Sequence, residues 1–188
     1  MGFTIDIGSP APGFSLKGVD GKKHSLDDCA GKAAVVVVFT CNHCPTAIDY
    51  EDRLIALQKA YARKRVQIVA INPNEDQGHP TDSYEHMVER ARQKGFNFPY
   101  LRDDTQDVAR AYGAKRTPHA FLLDGDRKVV YEGRIDDNPG NPAAVSRHDL
   151  REAIDEVLAG KRVSVTNTQS VGCNVKWWGK DAHWMPEE

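Results

Sequence analysis

Two cysteines, Cys41 and Cys44 in Cys41-Asn42-His43-Cys44, are the residues of this sequence best placed to do chemistry. They follow an apolar run from Ala33 to Phe39 and precede Pro45. A proline suits the first turn of a helix, where its missing N–H is not needed. A spacer of two brings both sulfurs into that turn, where free N–H groups and the helix dipole favour an anion. The thiolate is the nucleophile, so a thiol acidified there is a redox group. A thiol that is stabilised as its anion also makes the disulfide more oxidising. His43, between the sulfurs, adds a positive charge or a donor that tunes the pair. The plain alternative, two cysteines buried as small apolar residues, fits a polar junction poorly.

A second constellation is Arg116-Thr117-Pro118-His119, directly before the apolar stretch Ala120 to Leu123. A proline entering a strand lacks the ladder N–H and is compatible with a cis bond. Cys173, in Gly172-Cys173, is a candidate resolving cysteine; its alternative is packing against Trp177 or Trp178. Cys29, in a polar turn before Gly31, is given no role.

The elements that must position these groups follow from periodicity. Ala33 to Phe39 reads as a central strand buried on both faces. From Pro45 to Arg63, Ala47, Tyr50, Leu54, Leu57 and Tyr61 step by three and four, which predicts a helix. Val66 to Ile71 is a second buried strand, and residues 72–82 form a polar loop. Asp82 and Glu85 predict a capping box for a helix carrying Tyr84, Met87, Val88 and Ala91. Thr105 is the candidate cap of a helix with Val108, Ala109 and Tyr112. Strands at 120–123 and 129–135 flank the turn Asp124-Gly125-Asp126 as an antiparallel hairpin. Ser146 is the candidate cap of a last helix with Leu150, Ile154, Val157 and Leu158 on one face, ending at Gly160. The first thirty residues read as a hairpin or extended lead-in. Right-handed crossovers make the first strands parallel, so the sum is a mixed α/β sheet with helices on both faces.

This order, the CxxC after the first central strand and Thr117-Pro118 before the hairpin resemble the thioredoxin superfamily. Gly8-Ser9-Pro10-Ala11-Pro12-Gly13-Phe14 resembles the lead-in of peroxiredoxins and of related membrane-associated thiol oxidoreductases. The fuller set is Phe39-Thr40-Cys41-Asn42-His43-Cys44-Pro45, Arg116-Thr117-Pro118, Phe121-Leu122-Leu123-Asp124 and Gly172-Cys173-Asn174-Val175-Lys176-Trp177. It is similar to the peroxiredoxin-like, CxxC-containing group of thioredoxin-fold proteins over essentially the whole chain. The resemblance implies a thioredoxin-like domain over 1–160, with a C-terminal extension, 161–188, packing on it. It implies that Pro118 is cis and lies against the cysteine pair.

The activity implied is thiol–disulfide oxidoreduction. Cys41 attacks, Cys44 closes the internal disulfide, and Thr117 and Pro118 shape the substrate groove. Seen from the peroxiredoxin side, Cys44-Pro45-Thr46 matches the peroxidatic Cys-Pro-Thr, with Cys41 or Cys173 resolving a sulfenic acid. Peroxiredoxins hold peroxide with a Thr three residues before that cysteine and an Arg three before the Phe of the later strand. Cys41 and Pro118 stand at those positions here, so a thiol peroxidase is the alternative. In this fold His119 should lie near the pair, and Cys41, Cys44, His43 and His119 form a soft donor set of the kind that takes copper(I) or zinc. That binding role is a further alternative; the leading reading needs no metal and no organic cofactor. Its partners are a disulfide or dithiol protein and a cellular thiol reductant, with peroxide under the alternative.

Composition bounds the rest. Over 188 residues, 25 Lys and Arg against 27 Asp and Glu leave a formal charge of −2, which gives no basic field for nucleic acid or an anionic membrane. A chain this long buries about two-thirds of its unfolded surface and needs no disulfide staple. Its 4 cysteines are too few for a disulfide scaffold, and a close pair in a reducing compartment reads as catalytic, redox-sensing or metal-binding. No apolar run is long enough to span a bilayer. The N-terminus shows neither a basic nor an apolar leader region, so a cytoplasmic location is the expectation.

Overall fold

The computed structural model of the protein describes residues 2–187. Met1 and Glu188, the outer limits of the two expected segments, lie outside the described residues. A seven-stranded mixed sheet runs through the molecule in the order β2-β1-β5-β4-β3-β7-β8. Its strands are β1 (Ser15–Gly18), β2 (Lys23–Ser25), β3 (Ala34–Phe39), β4 (Val66–Asn72), β5 (Tyr100–Arg102), β7 (His119–Leu123) and β8 (Val129–Gly133). β3 pairs parallel with β4 and antiparallel with β7. β7 and β8 form the expected hairpin. A separate two-stranded ribbon joins β6 (Arg116–Thr117) to β9 (Cys173–Asn174).

The alternation of strand side chains divides the core in two. Ala34, Val36 and Val38 of β3 face a layer built by α1 (Pro45–Tyr61), α2 (Tyr84–Lys94) and α4 (Asp149–Leu158), with Tyr50, Leu54, Met87, Leu150 and Ile154 buried in it. Val35, Val37 and Phe39 face the other layer, which holds Phe14, Leu26, Tyr112, Val175 and Trp177. That second layer contains α3 (Asp107–Tyr112) and part of the C-terminal segment. Cys29 is buried there, away from the other cysteines. No helix among the described residues is long and apolar enough to cross a membrane.

Several local expectations change. β5 has three residues after Phe98-Pro99, too few to carry a strand pattern of their own; it is held by parallel pairing to β4 and antiparallel pairing to β1. Ser83 rather than Asp82 caps α2, its side chain accepting from the His86 N–H. α3 is capped from upstream by Asp103, whose carboxylate accepts from the N–H groups of Val108 (3.4 Å) and Ala109 (2.8 Å). The Thr105 hydroxyl accepts from the Asp107 N–H, and the Thr105 carbonyl from Arg110. α4 begins at Asp149 with His148 as its N-cap residue, so Ser146 lies outside the helix, its N–H donating to Asp137 at 2.9 Å.

The C-terminal segment is tied down by backbone bonds. Thr168 N–H donates to the Glu132 carbonyl at 3.1 Å, and Val175 N–H to Lys115 at 3.1 Å. Two close approaches fix its path. A Cβ on Gly133 would lie 2.3 Å from the Thr168 carbonyl oxygen, and one on Gly172 (φ +151°) only 2.0 Å from that of Thr117. Only glycine permits either.

Candidate active site

β3 ends at Phe39, and α1 starts at Pro45 with Cys44 as its N-cap residue. The motif is therefore the link between the central strand and the first helix. The Thr117–Pro118 peptide bond is cis. Thr117 lies over the pair: its hydroxyl is 3.3 Å from Cys41 Sγ and its carbonyl 3.4 Å from Cys44 Sγ. The C-terminal segment supplies a third sulfur. Pairing of β9 with β6 sets Cys173 opposite Thr117 and brings Cys173 Sγ to 2.7 Å from Cys44 Sγ. The Cys173 N–H also donates to Cys44 Sγ at 3.4 Å.

The three thiols are not equivalent. Cys44 is held down to about 4, first by a hydrogen bond from the Cys41 thiol, against its own burial, and further by the Cys173 thiol and the N–H groups of Ala47 and Cys173. Cys41 is pushed well up by burial, by donating to Cys44 and by the nearby Asp82 charge. Cys173 is raised to about 11 by burial and by donating to the Cys44 anion. The thioredoxin resemblance gives the lead to Cys41 and the peroxiredoxin resemblance gives it to Cys44. Here the converging S–H and N–H donors favour the Cys44 anion. Cys41 and Cys44 are 1% and 0% exposed, whereas Cys173 is only half-buried.

Beneath the motif lies a polar network that pattern reasoning did not find. Asp82 is fully buried. One carboxylate oxygen accepts from the Asn42 N–H (2.6 Å) and Asn72 Nδ2 (3.1 Å). The other accepts from Asn74 Nδ2 (3.1 Å) and pairs with His43 Nδ1. Burial works to raise the Asp82 pKa, but the His43 bond, the Asn42 N–H and the remaining donors outweigh it and hold it below 3.8. The hydrogen bond to Asp82 raises His43 above 6.5 against partial desolvation. The His43 ring stacks on His79 at 5.1 Å, and His79 is bonded to Glu75 at 2.5 Å. The available signal was Asn72-x-Asn74 and Asp82 bracketing a polar loop just after a buried strand.

The soft donor set of the metal-binding alternative does not assemble around His119. His119 spends Nε2 on Glu132 (2.6 Å) and Nδ1 on the Lys115 N–H (3.2 Å). Among the described residues, the donors that converge within 4.8 Å are those of Cys41, His43 and Asp82. The Asp82 oxygens and His43 Nδ1 are already bonded within the protein. These residues fit a proton-holding network better than a cation.

A parallel-strand core that delivers a CxxC pair to a helix N-terminus, under a cis-proline turn, defines a thiol-redox protein of the thioredoxin superfamily. The profile of the AhpC/TSA family matches residues 7–132, and the chain belongs to that family. Among curated proteins it is similar to Thiol-disulfide oxidoreductase ResA of Geobacillus thermodenitrificans (strain NG80-2), 32% identical over 128 residues, covering 67% of this chain and 68% of the relative. The crystal structure of an uncharacterized conserved protein from Geobacillus kaustophilus superposes with a TM-score of 0.89 at 40% identity, covering 96% of both chains. A thioredoxin-family thiol:disulfide interchange protein from Chlorobium tepidum TLS superposes with a TM-score of 0.58 at 25% identity, covering 69% of this chain and 87% of that one.

Proposed function

We propose that this chain is a cytoplasmic thiol–disulfide oxidoreductase in which Cys41 and Cys44 alternate between dithiol and disulfide. The observation that carries the reading is the sulfur cluster at the N-terminus of α1. There Cys41, Cys44 and Ala47 pack together beneath Thr117, with Cys173 against them. Cys44 is the thiolate and Cys41 the thiol that donates to it, so closing the disulfide loses one proton and two electrons to the partner. His43 and Asp82 keep charge and protons beside Cys41. A protein disulfide or dithiol is the substrate, and a cellular thiol system is the other partner. The family membership and the similarity to a named thiol–disulfide oxidoreductase support this reading.

The low Cys44 thiol is also what a peroxidase needs. Yet the groups that lower it are N–H and S–H donors, not a guanidinium. Arg116, the arginine nearest in sequence to the peroxiredoxin position, donates to the Gly172 carbonyl at 3.4 Å. The test is equilibration of the full chain in glutathione redox buffers with peptide mass mapping, alongside stopped-flow oxidation by hydrogen peroxide. A reversible two-electron transition with a Cys41–Cys44 linkage, and a peroxide reaction near that of a free thiol, is expected. A peroxide rate orders of magnitude higher, or no Cys41–Cys44 linkage, overturns the reading.

A further inference from the structure

A pair that exchanges with outside thiols needs a sulfur that outside thiols can reach. Cys41 and Cys44 are sealed, and Thr117 lies directly over both. Cys173 is the half-buried and so the most accessible member of the cluster, and its sulfur stands 2.7 Å from Cys44 Sγ. That is closer than an ordinary non-bonded pair of sulfurs and longer than the roughly 2.05 Å of a disulfide. The placement is built rather than incidental. Cys173 is in register with Thr117, its own N–H points at Cys44 Sγ, and Gly172 lets the strand approach where no side chain fits.

Resting on the dithiol–disulfide reading above, we propose that Cys173 is a third redox residue, the sulfur through which external thiols and disulfides exchange with the buried pair by way of a Cys44–Cys173 disulfide. Starting from the Cys41–Cys44 disulfide, Cys173 loses its proton and attacks Cys44 Sγ. The Cys41–Cys44 bond breaks, and Cys41 leaves with the electron pair and takes up a proton. An external thiolate then attacks Cys173 Sγ, on the half-buried residue of the new disulfide. The Cys44–Cys173 bond breaks, and its electron pair stays on Cys44 as thiolate. A second external thiol cleaves the resulting mixed disulfide on Cys173, giving the external disulfide and three reduced cysteines. Two external thiols have supplied two electrons, and the path runs backwards for a substrate disulfide. Attack at Cys173 is favoured because the sulfur expelled, Cys44, is the most acidic thiol of the three and so the best leaving group.

The test uses the full chain, reduced glutathione as the external thiol, acid quenching and peptide mass mapping. Oxidised wild-type protein is expected to show glutathione on Cys173 as the transient adduct. Cys41→Ser, oxidised by diamide, is expected to give a Cys44–Cys173 linkage in near-stoichiometric yield. Cys173→Ser should still form the Cys41–Cys44 disulfide, but glutathione should reduce it roughly tenfold or more slowly. Cys173→Ala, with a thermal unfolding curve of the reduced protein, separates this slowing from misfolding. Transient glutathione on Cys41 or Cys44, or wild-type rates in Cys173→Ser, overturns the proposal and leaves the pair reading standing. Failure of a folded Cys173→Ser to form the Cys41–Cys44 disulfide sinks the pair reading and this proposal with it.

Discussion

Replacing Asp82 by Asn should separate the role of the buried carboxylate from mere packing. The two side chains have nearly the same shape, so no cavity forms. The change instead sets an NH₂ where one carboxylate oxygen now accepts two hydrogen bonds. If it replaces the oxygen facing His43 Nδ1 and Asn74 Nδ2, donor meets donor twice; if the other, the clash moves to the Asn42 N–H and Asn72. Breaking a buried charged pair on one side costs about 3–5 kcal/mol. For a chain of this length that lowers the melting temperature by about 10 °C. The sign with pH follows from the two shifts. His43 is raised, so its share is fully present below 6.5 and fades as pH climbs through the raised value. Asp82 is lowered, so its share is fully present above 3.8 and fades as pH drops through the lowered value. The stability gap between wild type and Asp82→Asn should therefore be widest between 3.8 and 6.5. Urea unfolding across that range measures the gap, and NMR titration of the His43 ring reads the pair directly. In the variant the ring should titrate lower, and the Cys41 thiol, freed of a nearby negative charge, should become more acidic. An unchanged His43 midpoint, or a stability change within about 0.5 kcal/mol, would refute the reasoning.

Three further outcomes are expected. Ultraviolet absorbance of the reduced protein should lose one thiolate as pH falls through about 4, and Cys44→Ser should lack that step. Gly172→Ala, whose new methyl would meet the Thr117 carbonyl at 2.0 Å, should cost about 2 kcal/mol and speed alkylation of Cys173 in the reduced protein. Arg53→Met removes the guanidinium that pairs with buried Asp136 at 2.8 Å and leaves that carboxylate with Tyr50 Oη as its side-chain donor. Urea unfolding should show a loss of about 3 kcal/mol, with the glutathione exchange rate unchanged because the pair lies away from the sulfurs.

What the sequence made legible is what local pattern encodes. The run at 33–39, the helix spacing after Pro45 and the hairpin around Asp124-Gly125 each declare themselves within one element, and the structure has all three. The CxxC motif and Thr117-Pro118 are equally local. β5 escaped because its three residues owe their strand character to neighbours 30 or more positions away in the chain. Asp82 was read as a helix cap because the residue sits just before one, and a buried carboxylate has the same letter as a capping one. Its true partners, Asn42, His43, Asn72 and Asn74, come from two other segments. The acidity of Cys44 over Cys41 rests first on the hydrogen bond between the two and is deepened by Cys173, which arrives from the far end of the chain.

That distance along the chain has its own thermodynamic meaning. Cys44 and Cys173 are 129 positions apart, while the CxxC bond closes a loop of three. By the chain-entropy relation, a cross-link over the long loop restricts the unfolded chain by about 5 kcal/mol, and one over the short loop by less than 2. Moving the disulfide from Cys41–Cys44 to Cys44–Cys173 therefore stabilises the folded chain by about 3 kcal/mol while consuming no oxidant. The coupling is reciprocal. A denatured, oxidised chain keeps its disulfide in the short loop, and only folding, by holding Cys173 against Cys44, makes the long one competitive. The same bond that carries electrons would then also record whether the C-terminal segment is docked.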